Sequence, residues 1–371
     1  MSSIARIFKV YIMPGCIFQS VMVGGGYGTG RELVEYFTQY GFWGGLLGLT
    51  VSTVAMATIL ALTFEIARLY RAYDYRTFIR GLLGPFWVVY EVTALVMLLL
   101  MLSVLAAACG SIFTDAFLMP RWIGIMAMVV SIGLLAFFGR YILSLALTFW
   151  AFVLYAVFIA FLVIVLLHGS DEIAAHAASW VVHDGWFISG LKYGFYNLAI
   201  APLVLYAARP IEKRREAIGA GILAAVISLL PGAIFHVAFF AAYPGVTAQE
   251  VPVYWMIQKF YVPGFLIIYS IMLFGTLIET GAGSLQGVFE RIDTFLIEKG
   301  MKPLPKLANA LIAIVTIGVS IGLSSLGVIT LVANGYGLMA WAYMAVFIIP
   351  ILTIGIYKII RHSRENEVVT C

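Results

Sequence analysis

Charge is scarce in this chain. Asp, Glu, Lys and Arg make up 11% of its 371 residues, against about 25% in a soluble domain. That scarcity excludes a water-soluble enzyme, a disordered chain and a nucleic-acid binder, and no nucleic-acid partner is expected. Cysteine is scarce as well. Cys16, Cys109 and Cys371 are scattered and odd in number, so they form neither a disulfide framework nor a metal-ligand spacing. No polar stretch is long enough to fold as a separate domain, which excludes a bitopic receptor. No Gly-Lys-Ser/Thr follows the glycine-rich run, and H-E-x-x-H does not occur. ATP-driven pumping and hydrolysis therefore lack their usual machinery, and the chain reads as no enzyme.

What is present is apolar. Hydrophobic residues make up 63% of the chain, and the mean hydropathy is +1.03. About 20 apolar residues cross a bilayer core. The apolar runs predict an all-α integral membrane protein with ten transmembrane helices. They lie near 10–40, 43–66, 86–112, 122–138, 142–167, 186–208, 217–242, 263–290, 307–324 and 335–359. The segment 74–84 reads as an amphipathic helix on the inner surface. The segment 247–260 reads as an outer interfacial helix with Tyr254 and Trp255 at headgroup level.

The charges orient these spans. With the N-terminus inside, every Lys and Arg except Arg31, Arg121, Lys192 and Lys259 falls in a cytoplasmic segment. The 168–185 loop carries Asp171, Glu172 and Asp184 and no Lys or Arg. Basic residues gather on cytoplasmic loops, so both termini are expected to be cytoplasmic and the protein to sit in the cell membrane.

The chain reads as one transmembrane domain over 1–371. Ten spans divide at the outer loop 168–185 into halves 10–167 and 186–359. Five is odd, so the second half lies upside down relative to the first. Inverted repeats of this kind are a transporter signature. Corresponding spans share an irregularity. The first span holds Gly24, Gly25, Gly26, Tyr27, Gly28, Thr29 and Gly30 at its middle. Each glycine costs about 0.8–1 kcal/mol relative to Ala within a helix. The sixth span holds Tyr193, Tyr196, Asn197 and then Pro202, which lacks an amide hydrogen. Both first spans of the halves are thus expected to break at mid-membrane. Freed carbonyls there suit a cation, and freed amides suit a carboxylate.

The stretch VMVGGGYGTGRELVEYF resembles the broken first span of the LeuT-type fold. With FEIARLYRAYDYRTF, KYGFYNLAIAP, ETGAGSLQGVFERI and LVANGYG, it resembles the bacterial YkvI-like membrane proteins, a branch near the amino acid–polyamine–organocation superfamily. The resemblance implies a five-plus-five inverted repeat working by alternating access. In it, a bundle of spans one, two, six and seven rocks against the rest. It also implies a Na⁺ site where hydroxyls of the eighth span meet carbonyls near Gly24 and Gly25.

Ionisable groups at membrane depth mark candidate sites. Thr276, Glu279, Thr280 and Gly283 share one face of the eighth span, because residues three and four apart are neighbours on a helix. Thr276, Glu279 and Thr280 are the candidate ion-coupling set, with Gly24 and Gly25. Ionised, Glu279 ligates Na⁺; protonated, it carries H⁺; the sequence leaves both open. Gly24, Gly26, Tyr27, Gly28, Thr29, Tyr193, Tyr196 and Asn197 are the candidate solute contacts. Arg31, Glu32 and Glu35 read as a gate, an intrahelical pairing or a vestibule lining. Glu91 reads as a structural or functional group near a span end, and Glu65 as an i, i+3 partner of Arg68. Lys192 is expected to snorkel outward, and His236 to be a satisfied structural histidine. Asn334–Gly337 reads as a turn into the last span. The expected function is a Na⁺- or H⁺-coupled secondary transporter of a small polar organic solute such as an amino acid. The alternative is a ligand-sensing receptor subunit on the same fold.

Overall fold

The computed structural model describes residues 3–138 and 140–370. Among them, nine helices are long and apolar enough to cross a bilayer. The span expected at 122–138 is the shorter apolar helix Arg121–Phe138. The side chains of 136–152, with Arg140 and the start of the fifth span, lie outside the described residues, as does Cys371.

The spans pack in two groups. In one, the second span (Phe42–Tyr70) lies against both the sixth (Trp186–Asn197) and the seventh (Arg214–Phe239). The first span's leading helix, Met13–Met22, lies against the seventh and against Leu198–Ala208. In the other group, the third span (Trp87–Phe117) and Arg121–Phe138 touch each other, and both touch the eighth (Pro263–Glu298) and the ninth (Lys306–Ser324).

Small residues set the close approaches. In lipid, helices associate through van der Waals contact, which small side chains permit. Gly190 of the sixth span sits directly on the backbone of Gly48, and Gly221 of the seventh on that of Ala61. Ser52 Oγ donates to Gly190 O at 2.5 Å beside the first of these contacts.

The two ends of the bundle differ in charge. At the basic end, Arg68 grips Glu65 with two bonds of 2.8 Å, as the i, i+3 spacing implied. Arg6 bridges Glu212 at 3.0 Å and Glu216 at 2.9 Å. Arg291 reaches Glu91 at 3.2 Å, so Glu91 is an ion-pair partner. The segment expected to be amphipathic forms Tyr75–Leu83. Asp74 caps it by accepting from Thr77 N at 2.8 Å. Phe78, Ile79 and Leu82 are buried, and Arg80 lies 4.5 Å above the Trp87 ring.

At the opposite end three readings change. Residues 168–178 are helical, because the fifth span runs to Ala178 and bends at Gly169 without ending. The remainder folds back: His183 N donates to Tyr40 O at 2.9 Å, and Trp180 stacks on Trp43 with centroids 4.3 Å apart. The segment 247–260 is two pieces, Gly245–Ala248 as 3₁₀ and Pro252–Lys259 as α. Tyr254 there is buried and donates to Asp115 O at 2.8 Å. Tertiary packing has captured a side chain that composition alone assigned to the interface. Asn334–Gly337 is no turn: Leu331–Tyr336 is a π-helical stretch running straight into Gly337–Tyr343.

The Gly190–Gly48 contact leaves no room for a methyl group. Gly190→Ala is expected to cost about 1–3 kcal/mol through overpacking, read as a lower Tm of the purified protein in detergent. An unchanged Tm would show that the two spans do not meet this closely.

Candidate functional site

The first span is discontinuous. Its leading helix ends at Met22, and Gly24 is extended with φ −98° and ψ −165°. A short helix, Gly25–Thr29, follows, and then Gly30 takes φ +81° before Arg31–Tyr36 resumes. Glycine alone adopts that left-handed conformation freely. The chain therefore bends twice within eight residues, and Glu32 folds back over Gly26.

The sixth span responds differently to its proline. It is α-helical over Trp186–Asn197 and 3₁₀-helical over Leu198–Ala208, with Pro202 inside. The chain changes helix type there and does not break. A tighter helix shifts the carbonyl partners, and Tyr90 OH of the third span donates to Ala199 O at 2.9 Å.

These irregular segments adjoin. On one side, the eighth span runs along the first span's bend. A Cβ at Gly24 would press on Thr280 Cγ2 at 2.9 Å and on its Oγ1 at 3.4 Å. A Cβ at Gly28 would meet Leu273 at 3.3 Å and Thr276 at 3.9 Å. Tyr269 OH donates to Gly28 O at 2.7 Å. The hydroxyls of Thr276 and Thr280 donate to Met272 O at 2.9 Å and Thr276 O at 2.8 Å. Glu279 is half-buried on the same helix and makes no hydrogen bond or ion pair among the described residues. The surroundings of Gly25 lie outside the described residues.

On the other side lies Glu32, the residue whose importance the sequence understated. It is buried, with 7% of its surface exposed. A methyl group at Gly26 would overlap its carboxylate. Tyr196 OH donates to Glu32 Oε2 at 2.7 Å, joining the first span to the sixth. Around it Tyr36, Tyr193 and Tyr196 pack with ring centroids 5.4–5.7 Å apart. Tyr336 stands 5.1 Å from Tyr196. No signal in the linear sequence singles out Glu32 from Glu35; only the αL turn at Gly30 sends one inward.

The remaining candidates are placed as follows. Thr29 Oγ1 donates to Gly26 O at 2.7 Å and accepts from Arg31 N at 3.2 Å, locking the second bend. Asn197 Nδ2 donates to Tyr193 O at 2.9 Å within its own helix. Tyr27 turns toward the seventh span, edge-on to Phe235 at 6.2 Å. The hydroxyls of Tyr27 and Tyr193 are buried without a partner among the described residues. His236 Nε2–H donates to Phe42 O at 2.9 Å, which leaves Nδ1 to accept from Thr38 at 3.1 Å. Both nitrogens are thus satisfied in the neutral ring.

Arg31 fastens the segment that follows the second bend. Its buried guanidinium pairs with Glu35 at 2.5 Å and donates to Thr247 O at 2.6 Å and Gln249 O at 3.2 Å. It thereby ties the first span to the connection between the seventh and eighth. Beside it lies a cavity of about 250 Å³, lined in part by Glu35, Tyr36, Tyr40, Ser189 and Lys192. Lys192 also stands 5.7 Å above the Trp341 ring.

No family model matches the chain. Over 295 residues it is 25% identical to the uncharacterized membrane protein YkvI of Bacillus subtilis (strain 168), covering 76% of this chain and 80% of that one. Among solved structures, it is similar to the manganese transporter of Eremococcus coleocola, with a TM-score of 0.58 at 12% identity over 94% of this chain and 80% of the other. It is similar to MhsT in complex with L-phenylalanine, with a TM-score of 0.55 at 15% identity over 97% and 98%. A Na⁺-coupled sialic acid symporter gives a TM-score of 0.53 at 13% identity over 94% and 85%. The chain is a multi-pass membrane protein of the LeuT-type fold, similar to YkvI over most of both lengths.

Proposed function

We propose that this protein is a cation-coupled secondary transporter of a small polar organic solute, working by alternating access in the cell membrane with both termini inside. One observation carries the reading. The interrupted first span lies between Thr276 and Thr280 of the eighth span and the Glu32–Tyr196 pair that leads to the sixth. Backbone that leaves its helix at membrane depth must be satisfied by protein, water or ligand. That constraint supports a polar site where two packed groups of helices meet.

In this reading the solute contacts Gly24, Gly26, Gly28, Tyr193 and Tyr196, with Tyr27, Thr29 and Asn197 holding the shape around it. The coupling ion, Na⁺ or H⁺, uses Thr276, Glu279 and Thr280 with carbonyls near Gly24 and Gly25. Oxygen atoms suit Na⁺ as a hard cation. The two halves, 10–167 and 186–359, supply the inverted packings that alternate. The fold supports this, since the manganese transporter, MhsT and the sialic acid symporter share it. Fold does not fix function, however, so the site's chemistry carries the argument.

Reconstitution tests it. Purified protein in liposomes is expected to show saturable uptake of a polar solute that depends on a Na⁺ or proton gradient. Solute binding with no uptake under any gradient would instead identify a sensor. Glu279→Gln is expected to flatten the dependence of uptake on Na⁺ or pH while the protein still purifies as a folded monodisperse species. Unaltered ion dependence would remove Glu279 from the coupling set. Gly26→Leu is expected to abolish solute binding, because its side chain takes the place of the Glu32 carboxylate. Wild-type affinity in that variant would assign the glycine run to packing alone.

A further inference from the structure

We propose that Glu32 and the tyrosines around it form a subsite for a positively charged ammonium group, so that the transported solute carries one. The inference rests on the transporter reading above and names the class of its substrate.

Three observations lead to it. Glu32 is buried, and among the described residues no Lys, Arg or His lies within ion-pair distance of it. The neighbouring guanidinium, Arg31, commits both terminal nitrogens elsewhere, to Glu35 and two loop carbonyls, while its buried Nε has no partner among the described residues. A buried carboxylate without a cation is costly and is normally paired.

Second, the walls are aromatic. Tyr36, Tyr193 and Tyr196 form a triangle, and Tyr336 adds a fourth ring against Tyr196. Aromatic faces attract organic cations through the ring quadrupole, most strongly when water is excluded. A carboxylate set among tyrosine rings selects an alkylammonium over a hydrated metal ion, because the rings replace its water with soft contacts.

Third, there is a way in. Tyr36 belongs to both the tyrosine cluster and the wall of the cavity of about 250 Å³ beside Arg31. Release of the Arg31 contacts and movement of the Arg31–Tyr36 segment join that cavity to Glu32. Tyr193 OH, buried without a partner among the described residues, then offers a hydrogen bond to the solute's polar end.

The test uses the full-length protein in nanodiscs, with thermal stability as readout. A ligand that binds the folded state raises its apparent stability. The probes are choline, tetramethylammonium and dimethylbutanol, the uncharged carbon analogue of choline, with sodium chloride matching ionic strength. Choline and tetramethylammonium are expected to raise Tm in a saturable manner, and dimethylbutanol is not. Glu32→Gln is expected to abolish the response with its own Tm unchanged or raised, and Glu32→Asp to retain a weakened one. Equal stabilisation by the alcohol, a full choline response in Glu32→Gln, or no response to either ammonium ion overturns the proposal. Should Glu32→Gln fail to fold, the contrast between choline and its carbon analogue on the unmodified protein decides. Gradient-driven uptake of an uncharged or anionic solute, with no ammonium binding, would sink this inference while leaving the transporter reading intact.

Discussion

The Glu32 carboxylate resting on the bare face of Gly26 is the contact from which the rest of the arrangement follows. It exists because Gly30 turns the chain left-handed and because Gly26 has no side chain. Tyr196 then reaches it at 2.7 Å from the sixth span. A typical intramolecular hydrogen bond is worth about 0.5–1.5 kcal/mol net. That bond couples the helix Arg31–Tyr36, just past the bend, to the sixth span just before it turns 3₁₀-helical.

The surrounding architecture isolates this contact. Spans one, two, six and seven pack through glycine and alanine at backbone distance, while the third, eighth and ninth form a second body with Arg121–Phe138. The bend in the first span lies at the boundary, with Thr280 of the second body against Gly24. Arg31 closes the same boundary toward the Gly245–Ala248 connection. A relative movement of the two bodies must therefore break the Arg31 contacts and shift the Thr280–Gly24 contact together. Under the transporter reading, that shared seam links solute access to ion occupancy.

Much of this was legible in the sequence, for identifiable reasons. The glycine run cannot sustain a helix at its intrinsic cost, so a break at Gly24 follows from composition alone. The face joining Thr276 to Thr280 follows from helical periodicity, and it does lie along the first span. The Glu65–Arg68 pair and the satisfied His236 were also readable from spacing and isolation. What was not legible depended on three-dimensional direction. Pro202 tightened its helix where a break was expected, because Tyr90 from another span meets Ala199 O. Tyr254 turned inward to Asp115 O, a partner far away in sequence. Glu32 and Glu35 differ by one helical turn, and only the fold sends the first to the tyrosines and the second to Arg31.

Amide hydrogen exchange across the first span tests the central claim most directly. The account requires residues 23–31 to exchange much faster than the continuous helices Met13–Met22 and Phe42–Tyr70, because several of their amides lack the acceptor a regular helix supplies. It also requires that exchange to slow when a solute binds. Protection of 23–31 as strong as that of Phe42–Tyr70, with no response to any solute, would mean that the first span is an unbroken rod and that no site lies at its centre.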